Sequence, residues 1–169
     1  MTGELKPPPG WGDDELTRYL QFAAENRWAT FVHYRPVAAS LSRLDAAFMT
    51  LEGWENPRSL VAALLGLRSH AAFRAMCEHA LAGQLGDIFP AARACLEAAA
   101  YSVHLHGSDD LTEAWLRRHD SEECMKRLRG PEFQQKAIVK SVTTLSPELG
   151  ALFEELYQQA IDFGGHPNE

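Results

Sequence analysis

No stretch of this 169-residue sequence alternates apolar and polar residues for long enough to make a convincing strand. A half-buried strand needs that two-residue period, so a sheet-built fold is excluded at the outset. Cysteine is scarce and odd in number. Cys77, Cys95 and Cys124 stand far apart, with no Cys-x-x-Cys pair. That excludes a disulfide framework and points to buried free thiols in a reducing, cytoplasmic setting. The longest apolar run, Leu60 to Leu67, falls short of the about 20 residues needed to span a bilayer. The N-terminus also lacks the basic-then-apolar pattern of a signal peptide, so no membrane partner is expected. Glycine-rich phosphate loops, Gly-x-Ser-x-Gly, His-x-x-x-His and Glu-x-x-His are all missing. Their absence removes nucleotide-loop, serine-hydrolase, helical zinc and ferritin-like di-iron chemistry, and no metal or cofactor is expected.

What is present is the composition of an ordinary globular domain, 46% apolar and 23% charged, long enough for one real core. The net charge of −7 opposes nucleic acid and anionic membranes as a whole. It is unevenly spread. Residues 117–140 hold seven basic against four acidic side chains, a local +3, which leaves −10 on the remainder. That segment is the electrostatic hint of an anionic partner.

Residues 1–12, with three consecutive prolines and then two glycines, predict a flexible polyproline arm that Trp11 docks. Residues 13–169 predict a single all-α bundle of about five to seven helices. Asp13-Asp14-Glu15 opens the first helix, which the spacing carries to about Arg27. A second starts at Pro36 and ends in Gly53-Trp-Glu-Asn-Pro57. A third, broadly apolar and therefore central, runs from about Arg58 to Leu81. The fourth covers Leu85 to His106, with Pro90 expected in its first turn. Asp110 with Glu113 predicts a capping box for a short helix through Trp115. Ser121 starts another segment, 132–143 form a further helix, and Ser146-Pro147 caps the last, which Gly164-Gly165 stops.

Chemistry-bearing residues gather on the fourth helix and after it. Arg93, Glu97, Tyr101 and His104 recur at spacings of four, four and three, so they share one face. On an alanine-rich helix that face is expected to turn inward, with Arg93 and Glu97 as a buried, charge-balanced pair or as part of a site. Ala114-Trp115-Leu-Arg-Arg118-His119-Asp120 brings an aromatic, two arginines and a histidine together, a set able to hold a phosphate or a stacked base. It reads equally as a solvated helix end with Trp115 in the core. The candidate ligand-binding set is therefore Arg93, Glu97, His104, Trp115, Arg118, His119 and His166. Glu97, Arg118, His119 and His166 are the candidate catalytic groups. Any composite metal site would have to come from Glu97, His104, His119 and His166.

At Leu67-Arg-Ser-His-Ala-Ala-Phe-Arg74, Arg93-Ala-Cys-Leu-Glu-Ala-Ala-Ala-Tyr101, Ala114–Asp120 and Leu156–Glu169 the chain resembles a family of bacterial helical proteins without assigned function. That family in turn resembles the HEPN group. The likeness covers roughly residues 60–169. It implies a helical bundle, often dimeric, that binds RNA or a nucleotide in bacterial defence or stress. Some HEPN proteins cleave RNA through its 2′-hydroxyl, without metal, using an arginine and a histidine four to six intervening residues on. Arg74-Ala-Met-Cys-Glu-His79 and Arg27-Trp-Ala-Thr-Phe-Val-His33 have that spacing, although neither has a polar residue after its arginine. The resemblance also implies longer relatives, and so a fragment ending just past His166.

Two readings follow. In the first, the protein is HEPN-like and binds or cuts RNA, or binds a nucleotide. In the second, it is a non-enzymatic interaction module, with a protein partner or a second copy of itself, whose polar centre only braces the bundle. The second reading predicts that Glu97→Ala lowers the melting temperature sharply, because a buried Arg93 would lose its partner.

Overall fold

The computed structural model describes residues 7–50 and 60–164. Those residues form eight α-helices, a short 3-10 turn at Pro131–Phe133 and no strand, so the fold is an all-α bundle. The helices are α1 Glu15–His33, α2 Arg35–Met49, α3 Leu60–Ala82, α4 Leu85–His106, α5 Asp109–Leu116, α6 Glu122–Leu128, α7 Gln135–Leu145 and α8 Pro147–Asp162. The total exceeds five to seven because the Arg117–Ser121 bend leaves α5 and α6 as separate short helices.

Several ends follow the local chemistry. The side chains of Asp14, Ser121 and Ser146 accept from the third amide beyond them, satisfying donors that a helix start leaves free. Three expectations are corrected. α1 continues past Arg27 to His33, since no glycine or proline interrupts it before the chain turns at Tyr34. α5 is capped by Ser108, which accepts from Leu111 N, and Asp110 lies inside the helix. Pro90 sits in the second turn of α4, where it removes the amide that would bond to Gly86. The arm is described only from Pro7. Trp11 is 40% exposed and only lightly docked. The predicted stop around Gly53 and the residues after Gly164 lie outside the described set.

α3 and α4 form the central antiparallel pair. Small residues line the contact, with Ala62, Ser69 and Ala98 all buried. Two hydroxyls cross it. Ser69 Oγ donates to the Cys95 carbonyl at 3.0 Å, and Ser102 Oγ donates to the Ala62 carbonyl at 2.7 Å. α7 and α8 pack on α4 through Ala100, Ile138, Val142 and Phe153. A second cluster joins Val61 of α3, Leu105 of α4 and Phe133, with Leu65, Leu111 and Trp115 against it. α1 and α2 lie on the other side, against α3. α3 is also apolar enough, over 23 residues, to meet the length and composition of a membrane-crossing helix. The sequence run of Leu60 to Leu67 had understated it.

The closest approach in the α7–α8 hairpin is at Gly150. A Cβ there would lie 2.9 Å from Thr143 Cβ and 3.0 Å from its Cα, and the backbone cannot swing aside as a side chain would. Gly150→Ala is expected to cost about 1–3 kcal/mol by overpacking, read as a lower urea midpoint with unchanged slope.

Candidate functional site

The polar stripe of α4 does not meet at one point. Arg93 Nε donates to Glu97 Oε1 at 2.9 Å, and Tyr157 Oη of α8 donates to the same oxygen at 2.9 Å. The Arg93 guanidinium also lies over the Tyr157 ring, 5.6 Å from its centroid. Burial, and then the nearby Glu97 carboxylate, push the Tyr157 phenol above its ordinary range, so it stays a donor. Tyr101, one turn on, reaches the Phe133 carbonyl at 3.4 Å. The side chains of Arg93 and Glu97 are 40% and 41% exposed, so the pair is not the buried one expected. Water screens much of its attraction.

His104 is the buried member of the stripe, and it is a brace. Its Nε2 lies 2.9 Å from the Glu132 carbonyl and its Nδ1 lies 2.8 Å from Ser141 Oγ. The carbonyl only accepts, so Nε2 carries a proton. In the neutral ring Nδ1 then accepts from Ser141. One imidazole thereby ties α4 to α7 and to the 3-10 turn.

Glu97 and Trp115 do share a cleft of about 180 Å³, lined also by Leu65, Arg68, Ala94, Ala98 and Tyr101. Small-molecule pockets start at roughly 300 Å³, so this is a notch rather than a chamber. Arg118 stacks on Trp115 at 3.8 Å, and its Nη1 donates to the Trp115 carbonyl at 2.8 Å. His119 stands exposed in the following turn with no hydrogen bond among the described residues. His166 lies outside them. The expected convergence is therefore partial: Glu97 and Trp115 meet, with Arg93 bonded to the first and Arg118 stacked on the second. His104 and His119 sit elsewhere. Among the described residues no group of three histidine, cysteine or acidic side chains is placed to hold a metal.

The basic segment is partly neutralised from within. Arg127 bonds Asp110 and Glu132, and Arg117 bonds Asp120. Of the arginine–histidine spacings, Arg27 pairs with Glu78 at 3.0 Å and Arg74 holds Asp45 through two nitrogens. His79 bonds Gln84 at 2.7 Å, and His33 packs edge-on against Tyr34. Neither arginine is left free to meet a phosphate beside its histidine.

Two features were not legible in the sequence. Arg68, exposed at the cleft mouth, has no ion pair among the described residues. The other is a polar knot between α2 and α3, where Asp45 receives Arg74 and lies 2.6 Å from His70 Nε2, with Phe48 stacked on the imidazole. Arg74 and His70 are one helical turn apart, which the sequence shows. Asp45 comes from another helix, which it does not. Burial pushes the thiols of Cys77 and Cys95 above their ordinary range, which disfavours the reactive thiolate at both.

The chain was compared with family models, curated proteins and solved structures, and none matches. The class that fold and site define is thus an all-α bundle whose polar side chains mostly bind one another.

Two predictions follow from these contacts. His104→Ala leaves the Glu132 carbonyl short of a partner, while Ser141 keeps the Ala137 carbonyl, and is expected to cost about 1–3 kcal/mol; Glu97→Ala, at a half-exposed pair, costs less than about 1 kcal/mol. Denaturant melts that rank the two the other way would refute the assignment of His104 as the brace. The Arg74 hydrogen bond, then the His70 one, hold Asp45 well below the usual carboxylate range. A depressed folded pKa contributes stability above the unfolded value, about 3.9, and loses it as pH falls toward the folded value. Wild type should therefore exceed Asp45→Asn in urea midpoint at neutral pH, and the gap should begin to narrow below about pH 4 and shrink steadily as the pH falls further.

Proposed function

We propose that this protein is a non-enzymatic helical interaction module, whose apolar helix faces are covered by another protein surface. The observation that carries this reading is the quantity of large apolar side chain left in water. α3 exposes Leu60, Leu64 and Leu67 and α8 exposes Leu149, Leu152 and Leu156, each set at spacings of three and four, and α1 exposes Leu16 and Leu20 on one face. Scattered apolar residues are normal on a surface, but rows at helical spacing are not. The chain exposes 12228 Å² in all. A monomer of its mass exposes roughly 8,300 Å². Allowing the undescribed residues their full unfolded area, on the order of 3,000 Å² by the same scaling, leaves an excess of roughly 900 Å². One side of a stable protein interface covers about 800 Å². A homodimer is one form such a module takes.

Purified protein should bind a hydrophobic dye while its far-ultraviolet dichroism stays helical, and Leu64→Glu should reduce that binding with no loss of helix. Protein that is strictly monomeric and dye-silent would sink the proposal.

A second reading, HEPN-like binding of RNA or a nucleotide in a bacterial cytoplasm, is favoured by one observation. Arg68 stands unpaired at the notch where Arg118 stacks on Trp115. Two cations beside an aromatic suit a phosphate and a base. Labelled single-stranded RNA should then bind at low salt, weaken as salt rises, and lose several-fold in affinity with Arg68→Ala. Equal binding by wild type and the Arg68→Ala/Arg118→Ala variant would end this reading.

A further inference from the structure

The apolar arc of α8 is wider than its own core uses. Gly150, Phe153 and Ala160 are buried against the bundle. Leu149, Leu152, Leu156 and Phe163 are exposed at 51%, 49%, 40% and 65%. Their spacings of three, four and seven keep them within about 60° of arc at 100° per residue, the geometry of a coiled-coil seam. The seam continues at its far end onto Phe89 of α4, whose ring lies 5.4 Å from that of Phe163.

A row of acid flanks that seam. Glu148, Glu155 and Asp162 recur every seventh residue, so they line up along one edge of it. Each of the three is exposed. Their hydrogen-bond partners are neutral and on or beside the same helix: Ser146 for Glu148, Gln159 for Glu155 and Gln158 for Asp162. No cation pairs with any of them among the described residues.

We propose that this face of α8 is a docking site for a basic amphipathic helix of a partner protein. The partner lays leucine-like side chains on the seam and a lysine or arginine, every seventh position, against the acid row. The apolar contact supplies affinity, and the charges supply register and choice of partner. A second copy of this chain fits less well. Its α2 exposes Val37 and Leu44 and carries Arg35 and Arg43, but those arginines are out of heptad step.

This inference rests on reading the chain as an interaction module, and its test separates the two. The probes are two synthetic 21-residue helices with leucine at the seam positions, one flanked by lysine and the other by glutamate. Their affinities for the full-length chain are measured by fluorescence anisotropy at moderate salt. The lysine peptide should bind at least tenfold tighter than the glutamate peptide. Glu148→Lys/Glu155→Lys/Asp162→Lys should invert that order. Leu152→Asp/Leu156→Asp should abolish binding of both peptides, with the helical dichroism retained. Equal affinity for the two peptides overturns the proposal, as does a preference that survives the triple reversal. Self-association abolished by Leu152→Asp, with no peptide binding, overturns it too and assigns the face to a second copy. Bright dye binding with neither peptide bound refutes the α8 site alone. A dye-silent monomer refutes the module reading with it.

Discussion

Everything in the bundle hangs on how closely α3 and α4 approach. Alanine and serine at the contact let the two backbones come near enough for a hydroxyl on each to reach a carbonyl on the other. Those bonds fix the register of the pair as well as its separation, because each hydroxyl finds its acceptor in one alignment only. The remaining elements are then placed by default. Outer faces of α4 take α7 and α8, the near end of α3 with the far end of α4 takes α5 and Phe133, and the other half of α3 takes α1 and α2. Large side chains in the same contact would have pushed the axes apart and separated both hydroxyls from their acceptors.

Against that frame, the polar residues divide by how many elements they touch. His104 joins three pieces of chain and is buried. Asp45 joins α2 to two positions on α3. Glu97 joins α4 to α8 but stays half in water. Both ring nitrogens of His104 and both oxygens of Asp45 are already bonded, and Glu97 faces only the small notch, and this is why the interaction reading outranks a catalytic one. The surplus on this molecule is apolar area, and side chains with that surplus act by being covered.

Much of the fold was legible in the sequence, for a physical reason. Helix starts are local events, decided by a serine or aspartate three residues before the amide it serves, so Asp14, Ser121 and Ser146 could be read directly. The choice between Ser108 and Asp110 depended on which side chain found the amide first, and the one just outside the helix has the better geometry. The candidate site was less legible because it depends on tertiary contact. Spacing put Arg93, Glu97, Tyr101 and His104 on one face correctly. It could not tell that a face some 16 Å long, at 1.5 Å per residue, passes several neighbours, each of which takes a different member. Nor does spacing report burial, which made His104 structural and left Arg93 and Glu97 half wet.

The way α1 and α2 are fastened has a consequence of its own. These two helices bury only Ala23 and Ala38, and they meet the rest through one aromatic contact, Phe48 on His70 and Phe73, and otherwise through polar ones: Arg27 and Glu78, Asn26 and the Ala82 carbonyl, Tyr19 and Gln84, and the Asp45 knot. Polar latches resist separation less than buried apolar area does, since water replaces each lost bond. The molecule is therefore a firm block with a weakly held flap. Amide protons in the flap exchange with heavy water through openings that leave the block closed, and a protease would enter there first.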